Sequence, residues 1–233
     1  MREPQAPNPG SVAETGRVAL VTGGAGPVGA AVVRSLAARG YAVAIHDHAA
    51  FQQARDLAAE LVAAGVPSLA VTADLRDDGP MRALVHRVAD HFGRIDVLVT
   101  CAWLAIGGVF EEVTADDLRT HFDINCVGTF VVAQEAGTFM VHQAEGGCIV
   151  TIGDGGADHP TIGFAACSPS QGAIPALTRS LAAEFAAHNP QVRVNCVVPA
   201  PGLRRQANSE PVANAVLSLI ENDALTGVCL SVG

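Results

Sequence analysis

The chain contains no lysine, one tyrosine (Tyr41) and one tryptophan (Trp103). All fourteen basic residues are therefore arginine, against 23 acidic residues, for a formal net charge of −9. A chain so poor in positive charge offers no face to neutralise a run of phosphates, which excludes nucleic acid as its main partner. Arg204 and Arg205 form its one adjacent pair of arginines, too small for such a footprint. The six cysteines (Cys101, Cys126, Cys148, Cys167, Cys196 and Cys229) form no C-x-x-C, and nearly all sit in apolar runs. That pattern reads as reduced, mostly buried thiols of a cytoplasmic protein, with no zinc or other metal site. No stretch approaches the roughly 18 unbroken apolar residues of a membrane span, so no membrane partner is expected. The start, MREPQAPNPGSVAETG, lacks the apolar segment of a signal peptide. Its prolines predict a disordered arm over residues 1–15.

Apolar residues, by contrast, are plentiful. They make up 49% of 233 residues, enough for one sizeable core, and few of them are aromatic. Seven short β-branched runs read as strands: Val18–Thr22, Ala42–His46, Ser68–Thr72, Val97–Thr100, Cys148–Ile152, Val192–Val198 and Val228–Val232. Each is continuously apolar rather than alternating, as parallel strands covered on both faces must be. Between them, Met81, Leu84, Val85, Val88 and Phe92 recur at helical spacing, and Leu57, Leu61 and Val62 make a similar stripe. Thr114-Ala-Asp-Asp117 resembles a capping box opening a long helix towards Val141, and a further helix is expected at about 165–188. The βαβαβ order predicts an α/β fold: a Rossmann-type, doubly wound parallel sheet of about seven strands in a single domain, residues 16–233.

The first strand runs straight into Thr22-Gly-Gly-Ala-Gly-Pro-Val-Gly29, followed by a helical stretch. Glycines there let the backbone turn sharply and approach a pyrophosphate, which the helix N-terminus can hold with unpaired N–H groups. The second strand ends at Asp47, whose carboxylate can accept hydrogen bonds from ribose hydroxyls and would repel a 2′-phosphate. NAD(H) is therefore favoured over NADP(H). A glycine turn used only for strand–helix packing, with Asp47 a solvated loop residue, has the same spelling.

Further marks accumulate along the chain. They are Thr22-Gly23 with Gly29, Ala73-Asp-Leu75, Gly93-Arg-Ile-Asp-Val-Leu-Val99, Asn125 in Asn-Cys-Val-Gly-Thr-Phe, Val192-Arg-Val-Asn-Cys-Val-Val-Pro199 and Leu225-Thr-Gly-Val-Cys-Leu-Ser-Val232. With these the chain resembles the short-chain dehydrogenase/reductase family over residues 16 to 233. Pro27 in the turn, Ile45-His46 and Asp154 resemble its pteridine-reductase-like branch. The resemblance implies that Gly23, Val28 and Gly29 face the pyrophosphate, Asp47 the adenosine ribose, and Asp74 and Leu75 the adenine. Ala102 would lie beside the cofactor, in Thr100-Cys-Ala-Trp103. Trp103 puts a large ring where the family has a small residue, either stacked on a ligand or filling space.

In that family a Tyr handles the substrate proton. A Lys four residues later holds the nicotinamide ribose and lowers the Tyr pKa, and a Ser or Asp lies thirteen residues before the Tyr. Here Asp154, Cys167 and Gln171 fall in those three places. Gln is neutral and cannot depress a neighbour's pKa by charge, and a thiol is shorter than a phenol. Asp154 either takes part in chemistry or caps a turn, and Cys167 is either a nucleophile or core. Asn125 would hold a structural water, as family members do. Pro175 falls inside the expected helix, at a cost of about 3 kcal/mol unless the helix kinks. The segment between Pro199 and a helix at about Val212–Glu221 is a shortened substrate lid. The resemblance also implies a homo-oligomer, dimer or tetramer, assembled through the two long helices, with Gly172, Ala173 and Ala176 allowing close approach. A hetero-oligomer with an active paralogue is the variant of that arrangement. The function expected is an NAD(P)(H)-dependent oxidoreductase acting on a small molecule, with impaired or altered hydride transfer. The alternatives are a catalytically silent subunit of this fold and a repurposed non-redox binding protein.

Overall fold

The computed structural model describes residues 16–157, 159–203 and 209–233. The arm expected over residues 1–15, the Arg204–Arg205 pair and the middle of the shortened lid lie outside them. Seven strands form one sheet in the order β3-β2-β1-β4-β5-β6-β7, every neighbouring pair parallel. They are β1 (Val18–Thr22), β2 (Ala42–His46), β3 (Ser68–Val71), β4 (Val97–Thr100), β5 (Gly147–Ile152), β6 (Val192–Pro199) and β7 (Cys229–Val232). Each lies within one residue of its expected bounds. The helices are α1 (Pro27–Ala37), α2 (Phe51–Ala63), α3 (Asp78–Phe92), α4 (Ala115–Phe122), α5 (Gly128–Val141), α6 (Cys167–His188) and α7 (Glu210–Glu221).

Successive strand residues point to opposite faces, and here both faces are covered. Ala19 and Val21 of β1 face α1, α2 and α7, packing among Val32, Leu36, Leu57, Val216 and Leu219. Val18 and Leu20 face α3, α5 and α6, among Met81, Val85, Val132, Met140 and Phe185. This is why the strands read as unbroken apolar runs. Burying one Val or Leu side chain contributes about 1.5–3 kcal/mol.

Two expectations need correction. Val62 does not join the buried stripe of α2; it is 54% exposed, while Ala54, Leu57, Ala58 and Leu61 face the sheet. One residue beyond Leu61 is about 100° further round the helix, which turns Val62 to solvent. The helix opened by Thr114 has the capping box, but it does not run evenly to Val141. A wider π turn, Asp123–Val127, sits between α4 and α5 and carries Asn125. Pro175 lies inside α6, as expected, and the helix is continuous from Cys167 to His188.

Ala115–Val141 is long and apolar enough to cross a membrane by length and composition, and half of that stretch is buried inside this fold. Val131, Val132, Ala133, Ala136 and Met140 place it in the core instead.

One polar side chain fastens the last helix. The guanidinium of Arg193, 8% exposed in β6, donates to the carbonyls of Leu219 (2.9 Å), Ile220 (2.8 Å), Asn222 (3.1 Å) and Leu225 (3.2 Å). Those carbonyls belong to the end of α7 and the turn after it, where no next turn of helix supplies donors. Arg193→Leu is expected to cost about 3 kcal/mol, read as a lower urea midpoint with the slope unchanged. A midpoint equal to wild type would show that water serves those carbonyls as well.

Candidate functional site

The carboxyl ends of β1, β2, β3 and β4 open on a cleft of about 520 Å³. Sheet order changes direction here: β1 leads to β2 on one side and is flanked by β4 on the other, leaving a crevice between the outgoing loops. The turn after β1 closes tightly. Gly23 has φ +62°, and a Cβ there would lie 2.6 Å from the Ala102 backbone. At Gly29 a Cβ would lie 2.1 Å from the Gly23 carbonyl oxygen. The helix α1 then starts from Gly26 with no side-chain cap, Pro27 in its first turn and Val28 and Gly29 lining the cleft.

The far wall is polar. Asp47 accepts from the backbone N–H of Ala25 (3.3 Å) and of Ala50 (2.9 Å), tying the glycine turn to the end of β2. Carboxylate oxygens have about four acceptor positions, so these bonds leave capacity for hydroxyl donors. Asp74 is gripped by Arg76, with Nη2 at 2.5 Å and Nε at 3.1 Å, and His48 lies 3.9 Å from it. Sequence reading missed Arg76 and His48 as rim residues; the signal was only their spacing from Asp74 and Asp47. His46 is 1% exposed and lines the same cleft. Its Nε2 faces the Ala73 carbonyl at 3.0 Å and must donate, which leaves Nδ1 bare, and burial pushes its pKa down. Leu75 and Ala102 complete the wall. All seven residues expected to hold a cofactor (Gly23, Val28, Gly29, Asp47, Asp74, Leu75 and Ala102) thus border one cleft.

A second cavity of about 220 Å³ lies at the ends of β5 and β6, against the start of α6. Asp154, Cys167 and Gln171 line it. Cys167 and Gln171 sit four residues apart on one face of α6, 4% and 2% exposed. Cys167 Sγ donates to the Leu104 carbonyl at 3.4 Å. Asn125, from the π turn, donates to the same carbonyl (2.9 Å) and accepts from the Leu104 N–H (2.6 Å). Asn125 also donates to Ser170 Oγ at 2.9 Å, and Ser170 donates to the Cys167 carbonyl at 2.7 Å. Asn125 thus pins the loop after β4 to α6 by direct bonds. Ser170, which no sequence pattern singled out, closes that network. Asp154 Oδ1 accepts from the Gly156 N–H at 2.7 Å, capping the turn after β5. His121 joins α4 to the same loop: Nδ1 donates to the Asp117 carbonyl (2.7 Å), and Nε2 accepts from the Ile106 N–H (3.2 Å).

Trp103 lines both cavities and stands between them. Tyr41 is remote, 3% exposed at the start of β2 with Arg17 above its ring, and burial raises its pKa. No group of three or more potential metal ligands occurs among the described residues.

The short-chain dehydrogenase model matches residues 17–209 of this sequence. The chain belongs to the short-chain dehydrogenase family. An uncharacterised oxidoreductase of Methylorubrum extorquens is 36% identical over 185 residues, 79% of this chain and 72% of that protein. A hydroxynaphthalene reductase of Aspergillus fumigatus is 32% identical over 186 residues, 80% of this chain and 66% of that one. Among solved structures, a short-chain dehydrogenase/reductase of Serratia marcescens superposes with a TM-score of 0.82 at 32% identity, covering 93% of this chain and 96% of that one. Acetoin dehydrogenase of Enterobacter cloacae gives 0.83 at 29% identity, covering 92% and 93%. The family binds NAD(P)(H), and the residues at the first cleft fit such a group: a glycine turn against Ala102 and an uncapped helix N-terminus for phosphate, with a carboxylate for ribose.

The charge at the rim yields a pH test. Arg76 holds the Asp74 carboxyl down at about 2, first by side-chain hydrogen bonding and then by its backbone N–H. A carboxyl whose native pKa lies below its unfolded value stabilises the fold above about pH 4 and loses that contribution as pH falls towards 2. An NMR titration of Asp74 should show a midpoint near 2 in wild type, moving back towards the ordinary carboxylate range in Arg76→Gln. Identical midpoints in the two proteins would remove Arg76 as the cause.

Proposed function

We propose that this chain binds a nicotinamide dinucleotide in the first cleft, NAD(H) in preference to NADP(H), and that ordinary carbonyl–alcohol hydride transfer is impaired. The observation that carries the reading is the pairing of Cys167 and Gln171 one turn apart in the reaction-end cavity. They stand in the places of the Tyr and Lys. The S–H of Cys167 is directed to the Leu104 carbonyl, and Gln171 brings no charge. Asp154 binds its own turn through Gly156.

When bound, the dinucleotide supplies or accepts the hydride at its nicotinamide ring. Val28 and Gly29 would meet its pyrophosphate, Asp47 its adenosine ribose, Asp74 and Leu75 its adenine, and Ala102 its middle. A 2′-phosphate would meet the carboxylate of Asp47, while the arginine that lines this cleft, Arg76, is already paired with Asp74. What the lining of the second cavity lacks is a proton donor of phenol length next to a cation. Losing a general acid slows a reaction by about 10²–10⁴.

Titrating NADH and NADPH against the protein, with Trp103 fluorescence as the readout, tests the binding half. NADH should bind more tightly, and Asp47→Ala should narrow the gap. Binding of neither nucleotide, or tighter binding of NADPH, would sink it. Turnover of small carbonyl compounds, acetoin-type ketones among them, tests the other half. Wild type should run roughly 10² or more below the double variant Cys167→Tyr/Gln171→Lys. A wild-type rate matching that variant would show that another acid serves the reaction.

Assembly with a second chain, which an active enzyme and a catalytically silent subunit of this fold would share, is favoured by apolar side chains left on the outer face of α4, the π turn and α5. Leu118 is 38% exposed, Val127 42% and Phe130 36%. Gly172 and Ala176 of α6 are exposed as well, so a second chain could approach closely. Light scattering should give a dimer or tetramer in wild type and smaller species in Phe130→Glu; a monomer at micromolar concentration would exclude assembly through this face.

A further inference from the structure

Strands β6 and β7 place two thiols side by side. Cys196 and Cys229 are register partners in a parallel pair, so their side chains leave the sheet on the same face. Neighbouring strands lie about 4.7–4.9 Å apart, within the Cα separation of about 4.4–6.8 Å that a disulfide spans. Both thiols are free. A third element completes the cluster. Arg179 of α6 sets Nη1 3.4 Å from Cys229 Sγ, and the carbonyl of Pro175, one turn earlier, lies 3.9 Å from the same sulfur.

These surroundings differ from those of the other cysteines. Cys148 is 3% exposed, and burial pushes its thiol up to about 11. Burial also raises Cys126, and Cys167 is bonded to the Leu104 carbonyl. Cys229 has its thiol held down, first by its neighbour Cys196 and then by the charge of Arg179. Cys196 is shifted the opposite way, by its neighbour Cys229 and by burial, so Cys229 is the member of the pair that ionises first. Cys229 is half-buried, so a small oxidant reaches it before the fully buried Cys196.

We propose that Cys196 and Cys229 are an oxidation site: a hydroperoxide converts this cross-strand dithiol to a disulfide that staples β7 to β6. The thiolate of Cys229 attacks one peroxide oxygen; an S–O bond forms as the O–O bond breaks. The sulfur is oxidised to a sulfenic acid, and the departing oxygen takes a proton and leaves as water or an alcohol. Cys196 then gives up its proton and attacks the sulfenic sulfur. The S–S bond forms, the S–O bond breaks, and the hydroxyl leaves with that proton as water. Two thiols and one hydroperoxide thus become one disulfide, one water and one further water or alcohol. The pair also backs onto the reaction end, since a Cβ at Gly153, beside Asp154, would lie 3.6 Å from Cys196 Sγ. The proposal does not rest on the nucleotide reading.

The full chain, treated with hydrogen peroxide at neutral pH, capped with a maleimide and digested, provides the test. Peptides carrying Cys196 and Cys229 should be recovered joined, with two of the six thiols lost. Cys196→Ser should stop at a sulfenic acid on Cys229, trapped by dimedone. Arg179→Gln should slow alkylation of Cys229 roughly tenfold at neutral pH. Recovery of all six thiols in capped form, or first oxidation at Cys126, would overturn the proposal. Wild-type mapping decides the matter even if a variant does not fold.

Discussion

The close approach of the turn after β1 to the loop after β4 governs this molecule. Gly23 and Ala102 are so near that no side chain fits between them. The Ala102 N–H reaches Thr22 Oγ1 at 3.4 Å, and the Gly24 N–H reaches the His46 carbonyl at 2.8 Å. These contacts set where α1 begins, and with it where its unpaired N–H groups point. They also fix the loop that delivers Trp103 and Leu104. The first cleft and the second cavity are therefore built from one backbone constraint, read on two sides.

From that shared frame the two ends diverge. At the first cleft the lining is glycines, an open helix terminus and a carboxylate, groups that suit a phosphate and a ribose. At the second, the polar groups serve the protein itself. Asn125, Ser170, Cys167 and Leu104 bond one another, and Asp154 bonds its own turn. Such a network holds α6 against the loop after β4 whether or not anything reacts there. A scaffold can keep its binding geometry under these terms while its proton chemistry changes.

The fold was legible residue by residue because the strands are buried on both faces. Double burial writes an unbroken apolar run, and the helices between write a 3.6-residue period. Val62 shows the limit: a valine next to Leu61 looks like core until the helix phase is known. The π turn at Asp123–Val127 had no spelling of its own, since one extra residue per turn changes hydrogen bonding rather than composition. At the site, the positions of Asp47, Asp74, Cys167 and Gln171 followed from spacing. Arg76 and Ser170 did not, because their roles are set by which side chain lies across a gap.

Pattern along the chain, by itself, determined a doubly wound sheet, a glycine-rich turn after its first strand and the absence of any tyrosine–lysine pair. Those are properties of periodicity and residue type, which survive without coordinates. Tertiary structure alone decided that Trp103 stands between two cavities, that Arg193 fastens α7, and that Cys196 meets Cys229 beneath Arg179. Each of these depends on strand register and helix placement, which bring together residues tens of positions apart, and no local sequence window records such a distance.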